Sequence, residues 1–255
     1  MKLNKLLQLL RDNAKPRADG TAPAIRLDTS SDAEAHLYLN DVIDPYWGAS
    51  AAALIAALAA AGDRAVHLHI NSPGGDVFEG LMMSAAIAAH ATPVAAHIEG
   101  LCASAATGVA LACASADMLE GSLFMVHNAW TFAYGNKADL RATADLLDKV
   151  DQGIVGTYTR ATGATAEQVI AWMDAETWFT AAEALDAGFV QGLVQASQRE
   201  TSASAQARAW NLTAYRNAPR LAPPEPKQSD AAALAAAASA QLQSNRNRLR
   251  LVNQI

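Results

Sequence analysis

Residues 64–76, Arg-Ala-Val-His-Leu-His-Ile-Asn-Ser-Pro-Gly-Gly-Asp, decide how this chain folds. The first eight alternate between apolar and polar side chains, as a half-buried strand does, and lead without a linker into the turn Ser72-Pro-Gly-Gly75. Val77 to His90 then reads as a helix and Pro93 to Ile98 as the next strand. Strand, glycine turn, helix, strand is the order of an α/β domain.

The same grammar extends in both directions. On the N-terminal side, Ala35 to Leu39 reads as a strand, and Ala49 to Ala61 is strongly helical by propensity and closed by Gly62. On the C-terminal side, Leu123 to His127 is a short buried strand. Lys137 to Ala161 carries Leu140, Ala144, Leu147, Val150, Ile154, Val155 and Tyr158 at helical spacing, which predicts a long amphipathic helix. Thr165-Ala-Glu-Gln168 opens another helix with a capping-box pattern. Thr177 to Thr180 is a strand, Ala181 to Ala187 a helix stopped by Gly188, and Phe189 to Val194 the last strand.

Charge divides the 255 residues into three parts. Residues 1–26 carry six Lys/Arg against two Asp/Glu, residues 27–200 six against 21, and residues 201–255 seven against two. An acidic body lies between two basic ends, so nucleic acid is not the expected partner of the body, because phosphate binding needs clustered Lys/Arg. The expected domains are an amphipathic extension over 1–24, an acidic α/β body over 25–195 and a basic, Ala-rich tail over 196–255. That tail is expected to be partly helical or disordered, with Pro223-Pro-Glu-Pro226 breaking regular structure before the alanine run 231–240. Two cysteines, Cys102 and Cys113, form no disulfide framework and fit a reducing compartment. The uncharged stretch from Gly80 to Ile98 is interrupted by His90, Pro93 and His97 and reads as a helix and a strand rather than a membrane span.

Three segments carry chemistry. In Asn71-Ser-Pro-Gly-Gly-Asp76 the glycines let backbone N–H groups approach a ligand at a helix start, although the segment is neither a dinucleotide nor a P-loop fingerprint. Taken alone, it reads equally well as a tight turn. In Gly100-Leu-Cys-Ala-Ser-Ala-Ala106, Ser104 has small neighbours that admit an extended chain; a packed hydroxyl or helix cap is its plainer reading. In Phe124-Met-Val-His-Asn128, His127 ends an apolar strand and has the proton affinity a serine nucleophile needs in its base. His67 and His69 alternate on one strand face without a third ligand at recognisable spacing, so they read as structural and no metal or other cofactor is expected.

Together these segments resemble the caseinolytic, or Clp, serine proteases over roughly residues 25–195. That family's [IV]-N-S-P-G-G, G-x-x-A-S and M-[IV]-H stand here as Ile70 to Gly75, Gly100 to Ser104 and Met125 to His127, in the family's order. Phe179-Thr-Ala-Ala-Glu-Ala184 through Gly188-Phe-Val190 resembles its end piece. The resemblance implies the α/β, Clp protease/crotonase-like fold of repeated β-β-α units wound into a superhelix, with helical or disordered extensions. It also implies that Ser104 is the nucleophile, that His127 is the general base, and that the backbone N–H groups of Gly75 and Ala105 form the oxyanion hole. The family's third member, an aspartate two residues before the phenylalanine of the end piece, is here Thr177. Asp174 is the first choice to replace it, with Glu176, Thr177 or no acid at all as the alternatives.

By the same resemblance the chain assembles into homo-oligomeric rings through the long helix after the base and cleaves polypeptides, with no membrane partner and an undefined ATPase partner. Its wording, with Asp76-Val-Phe-Glu-Gly80 and Met173-Asp-Ala-Glu-Thr-Trp178, is similar to the phage-encoded branch associated with prohead maturation. The expected substrates are then scaffold or capsid precursors, and the expected setting is the cytoplasm of a bacterial host or the prohead interior. Two other readings remain open: a catalytically weak ring-forming assembly protein, and a crotonase-like acyl-CoA enzyme.

Overall fold

The computed structural model describes residues 5–13, 25–195 and 210–219, all within one compact unit, Met1–Pro219. Its framework is a mostly parallel sheet. Strands β2 (Glu34–Leu39), β3 (Ala65–Ser72), β4 (Val94–Ala103) and β5 (Ser115–Leu119) run parallel in that order, with β8 (Gly192–Val194) parallel to β5 and β1 (Ile25–Asp28) antiparallel to β2. Strand β6 (Leu123–Val126) pairs in parallel with the far end of β4, and β7 (Thr177–Thr180) pairs antiparallel with β6.

Strand period sorts the side chains. Leu37, Leu39, Leu68, Ile70, Ala96 and Ile98 point to one face and are fully buried under α2 (Ala51–Ala61), α3 (Val77–Ala88) and α4 (Ala105–Leu111), whose Leu54, Met83 and Val109 share their core. Each large apolar side chain so buried contributes about 1.5–3 kcal/mol. Three further helices belong to the body: α5 (Lys137–Thr162), started by a capping box at Asn136 and Asp139, α6 (Ala166–Ala175) and α7 (Ala181–Asp186).

The fold class expected from the sequence is observed, a mixed α/β fold with a mostly parallel sheet, and the differences lie at edges. Strands β1 and β5 and helix α4 were not delimited by the sequence. The strand beginning near Pro93 runs on to Ala103, the helix expected from Ala49 starts at Ala51 behind an Ser50 cap, and the last strand shortens to three residues. It shortens because the Phe189 N–H still donates to Ala184 O, in the turn that closes α7. At Thr165 half of the expected box forms, the hydroxyl accepting from Gln168 N at 3.3 Å.

A boundary at residue 195 does not describe the packing. Trp210, Leu212, Ala214 and Tyr215 are buried in a second core with Leu9 and Leu10 of α1 (Lys5–Asn13), against Val42, Leu101, Ala103 and Met125. The apolar side chains around residue 210 are too few for a core of their own, but they complete one offered by the sheet. The alanine run 231–240 lies outside the described residues.

Candidate active site

Strand β4 delivers the serine. Its first half pairs with β5 up to Ile98 and its second half, from Leu101, pairs with β6, so the strand leaves one neighbour for the other around Gly100. Ala103 stands opposite Met125, and Ser104 N donates to Met125 O at 2.9 Å. The next residues of the two strands are therefore neighbours: His127 Nε2 lies 2.7 Å from Ser104 Oγ. Strand β3 pairs Ser72 with Cys102, which carries the Gly74–Gly75 turn to the same place. All three segments converge at the carboxyl ends of parallel strands, where open α/β sheets hold their ligands.

The backbone is strained where this happens. Among the described residues only Ser104, at φ 54°, and Glu176, at φ 50°, are non-glycine residues with positive φ. Ser104, with ψ −125°, sits on a sharp turn between β4 and α4 that pushes its hydroxyl out of the strand line. Such strain costs about 1–3 kcal/mol per residue and persists only where surrounding structure imposes it. Gly74 shows how close the approach is: a Cβ there would lie 2.5 Å from Ala103 O and 2.8 Å from Ser104 Cβ. Among the described residues, neither the Gly75 N–H nor the Ala105 N–H donates a hydrogen bond to a protein acceptor.

The acid expected at Asp174 is not brought to the base. Asp174 is exposed and its Oδ1 accepts from Asn128 Nδ2 at 2.7 Å, while the Thr177 hydroxyl donates to Trp172 O at 2.7 Å. Among the described residues no carboxylate hydrogen-bonds to the His127 ring. The nearby buried carboxylate is that of Glu176. Antiparallel register sets Val126 opposite Thr177, so the residue before Thr177 meets the residue after Val126, and the left-handed backbone at Glu176 turns its side chain inward. Its oxygens accept from Arg216 N at 2.9 Å and Asn217 N at 2.6 Å.

His127 is buried, and loss of water pulls its pKa down to about 4. The negative charge of Glu176 works against that fall and the positive charge of Lys5 adds to it. The imidazole is therefore neutral, able to accept a proton, across the neutral range. Neither cysteine competes as a nucleophile: burial pushes the Cys113 thiol up to about 12 and Cys102 well above its ordinary value.

Ser104 and His127 open onto a groove of about 800 Å³, bounded by Gly75, Phe78 and Leu81 on one side and by Leu146, Val150 and Ile154 of α5 on the other. His67 and His69 lie away from it, in a row on the opposite sheet face, with His67 Nδ1 2.8 Å from His97 Nε2 and His69 Nδ1 2.9 Å from Glu99 Oε1. Among the described residues no three His, Cys, Asp or Glu side chains are grouped to hold a metal ion, and no helix is long and apolar enough to cross a membrane.

Trp130 and Tyr215 are additions that the motifs did not contain, and they join Trp178, which ends the Met173–Trp178 stretch. Their rings surround the His127 side, with Trp130 and Tyr215 stacked at 5.3 Å and 8°. The available signal was Trp210-Asn-Leu-Thr-Ala-Tyr215, an aromatic cluster in an otherwise polar stretch.

A serine poised on a neutral histidine at the ends of parallel strands is the arrangement of hydrolases that work through a serine nucleophile. The Clp protease family profile matches residues 28–197, and the chain belongs to the Clp protease family. It is 31% identical over 147 residues to the ATP-dependent Clp protease proteolytic subunit 1 of Leifsonia xyli subsp. xyli, covering 55% of this chain and 72% of that protein. It is 33% identical over 129 residues to proteolytic subunit 1 of Chlamydia abortus (49% and 67% covered), and 31% over 133 residues to proteolytic subunit 2 of Rhodococcus jostii (51% and 68%).

Proposed function

We propose that this protein is a serine endopeptidase in which Ser104 attacks the peptide carbonyl and His127 is general base and then general acid. The observation that carries this is the 2.7 Å contact between His127 Nε2 and Ser104 Oγ at a serine with positive φ. As Oγ bonds to the carbonyl carbon, its proton passes to Nε2; the carbonyl oxygen becomes an oxyanion, for which the unengaged Gly75 and Ala105 N–H groups are the proposed donors. Collapse expels the amine with the proton from Nε2 and leaves an acyl-Ser104 ester. Water, deprotonated in turn by His127, hydrolyses it.

The groove supports a polypeptide substrate, because its volume of about 800 Å³ and its mainly apolar walls leave room for side chains beside Ser104. The narrower substrate, a prohead scaffold or capsid precursor, rests on the sequence wording alone and is tested by co-expressing precursor and protease and looking for processed fragments. Self-association belongs to the same proposal. Of the 26 residues of α5 only Tyr158 is buried, while Leu140 and Leu146 are exposed, so the helix has a face left for another copy. Sedimentation should show an assembly larger than one chain.

The test is labelling by a fluorophosphonate. Ser104 should be modified, with peptide mapping locating the adduct, and a chain left unlabelled at neutral pH would refute the proposal. The rate should fall only as pH drops through about 4, where His127 takes up a proton, not near the ordinary histidine value. The sign for stability follows. Between about 6.5 and about 4 the unfolded chain binds the proton that folded His127 refuses, so this residue makes stability fall as pH falls through that window and contributes nothing above it.

A further inference from the structure

We propose that residues 210–219 are a working part of the catalytic site, with Tyr215 the positioning residue that holds the His127 ring and the Asn71–Gly75 loop in line with Ser104. The segment lies outside residues 28–197, which match the family, and the inference rests on the serine–histidine reading given above. It touches each limb of the site. Trp210 Nε1 donates to Asn71 Oδ1 at 2.9 Å, and the Tyr215 hydroxyl donates to Pro73 O, one residue before the glycines. The Tyr215 ring meets the His127 ring edge-on, centroids 5.4 Å apart, and is backed by Trp130 and Trp178. Arg216 N and Asn217 N both aim at the Glu176 carboxylate, while the Arg216 guanidinium donates to Asp174 O and Asn217 Nδ2 to Ala175 O.

A strap that only added apolar contact would need none of these polar bonds. Here two successive N–H groups fix Glu176, a buried acid whose charge His127 feels, in a chain whose family aspartate is replaced by Thr177. The hydroxyl of Tyr215 ties down the loop that carries Gly75, and its oxygen is close enough to Ser104 for that hydroxyl to offset part of the rise that burial imposes on the phenol. The aromatic wall keeps water off His127 and leaves the ring little room to turn. Helix α1 holds the segment in place through Asn13, which donates to Asn211 O at 2.8 Å and accepts from Asn211 N at 2.7 Å, and through Gln8 Nε2 to Thr213 Oγ1 at 2.9 Å.

The experiment compares the 255-residue wild-type chain, Tyr215→Ala and Tyr215→Phe by rate of fluorophosphonate labelling from pH 4 to 8. In Tyr215→Ala, water reaches His127, and the acid limb should move from near 4 toward about 6.5, lowering the pH 5 rate relative to pH 8 by up to roughly thirtyfold. Misalignment should lower the pH 8 rate by about tenfold to a hundredfold. Tyr215→Phe keeps the ring and loses the bond to Pro73 O, so its limb should stay near 4 while its pH 8 rate falls less. A limb unmoved in Tyr215→Ala overturns the proposal, and so does faster labelling at every pH, which would make the segment an inhibitory cover. An unlabelled wild type would instead refute the serine–histidine reading itself.

Discussion

Replacing Ser104 with alanine should lower turnover of a fluorescent casein by about 10⁶-fold and abolish fluorophosphonate labelling, while leaving the fold intact. The backbone at this position is held by bonds that alanine keeps: Ser104 N donates to Met125 O, and Ser104 O accepts from Thr107 N at 2.9 Å and from Thr107 Oγ1 at 2.6 Å. The loss is confined to Oγ and its contact with His127. A buried imidazole left without that partner costs about 1–3 kcal/mol, so urea unfolding should register a modest shift with unchanged cooperativity. Residual turnover of about 10³-fold over water would remain from binding and oxyanion donors. Cleavage persisting at the wild-type rate would remove Ser104 from the mechanism, and a variant that fails to unfold cooperatively would assign the loss to folding.

What could be read before the structure was what is local. The alternation of residues 64–71, the glycine turn and the helix that follows are set by side-chain period and turn chemistry within a few residues, and they stand at those positions. Strand β5 escaped because Ser115–Leu119 offers only Ala116 and Met118 as buried apolar residues, a pattern too short to separate from a loop. The contact between Ser104 and His127 followed from motifs, but the choice among Asp174, Glu176 and Thr177 did not. These three polar side chains, within four residues of one another, differ by where the backbone points them, and the left-handed backbone at Glu176 turns that one inward without a hydrogen bond to His127. Residues 210–219 were further from reach, since their hydrogen-bond partners lie up to 205 positions away and their burial depends on a surface that the sheet and α1 create only once folded.

Gly75→Ala should be the most damaging change that removes no reacting side chain, cutting turnover by about 10²–10³-fold through one lost oxyanion donor. Gly75 has φ +150°, and a Cβ there would stand 2.0 Å from Ile43 O and 2.9 Å from Ile43 C. That neighbour is backbone and cannot swing aside, because Ile43 N donates to Gly74 O at 2.9 Å and Asp76 N donates back to Ile43 O at 2.8 Å. The loop must therefore lift, and as it lifts the Gly75 N–H turns away from the place where an oxyanion would form beside Ser104. Backbone strain adds about 1–3 kcal/mol of destabilisation, to be read from urea unfolding alongside turnover. The informative signature is a kcat that falls far more than KM changes, since the donor binds charge that develops only in the transition state. If Gly75→Ala kept its kcat while losing stability, the loop would be structural and the oxyanion would have to be held elsewhere, with Ala105 N as the remaining free donor at the start of α4.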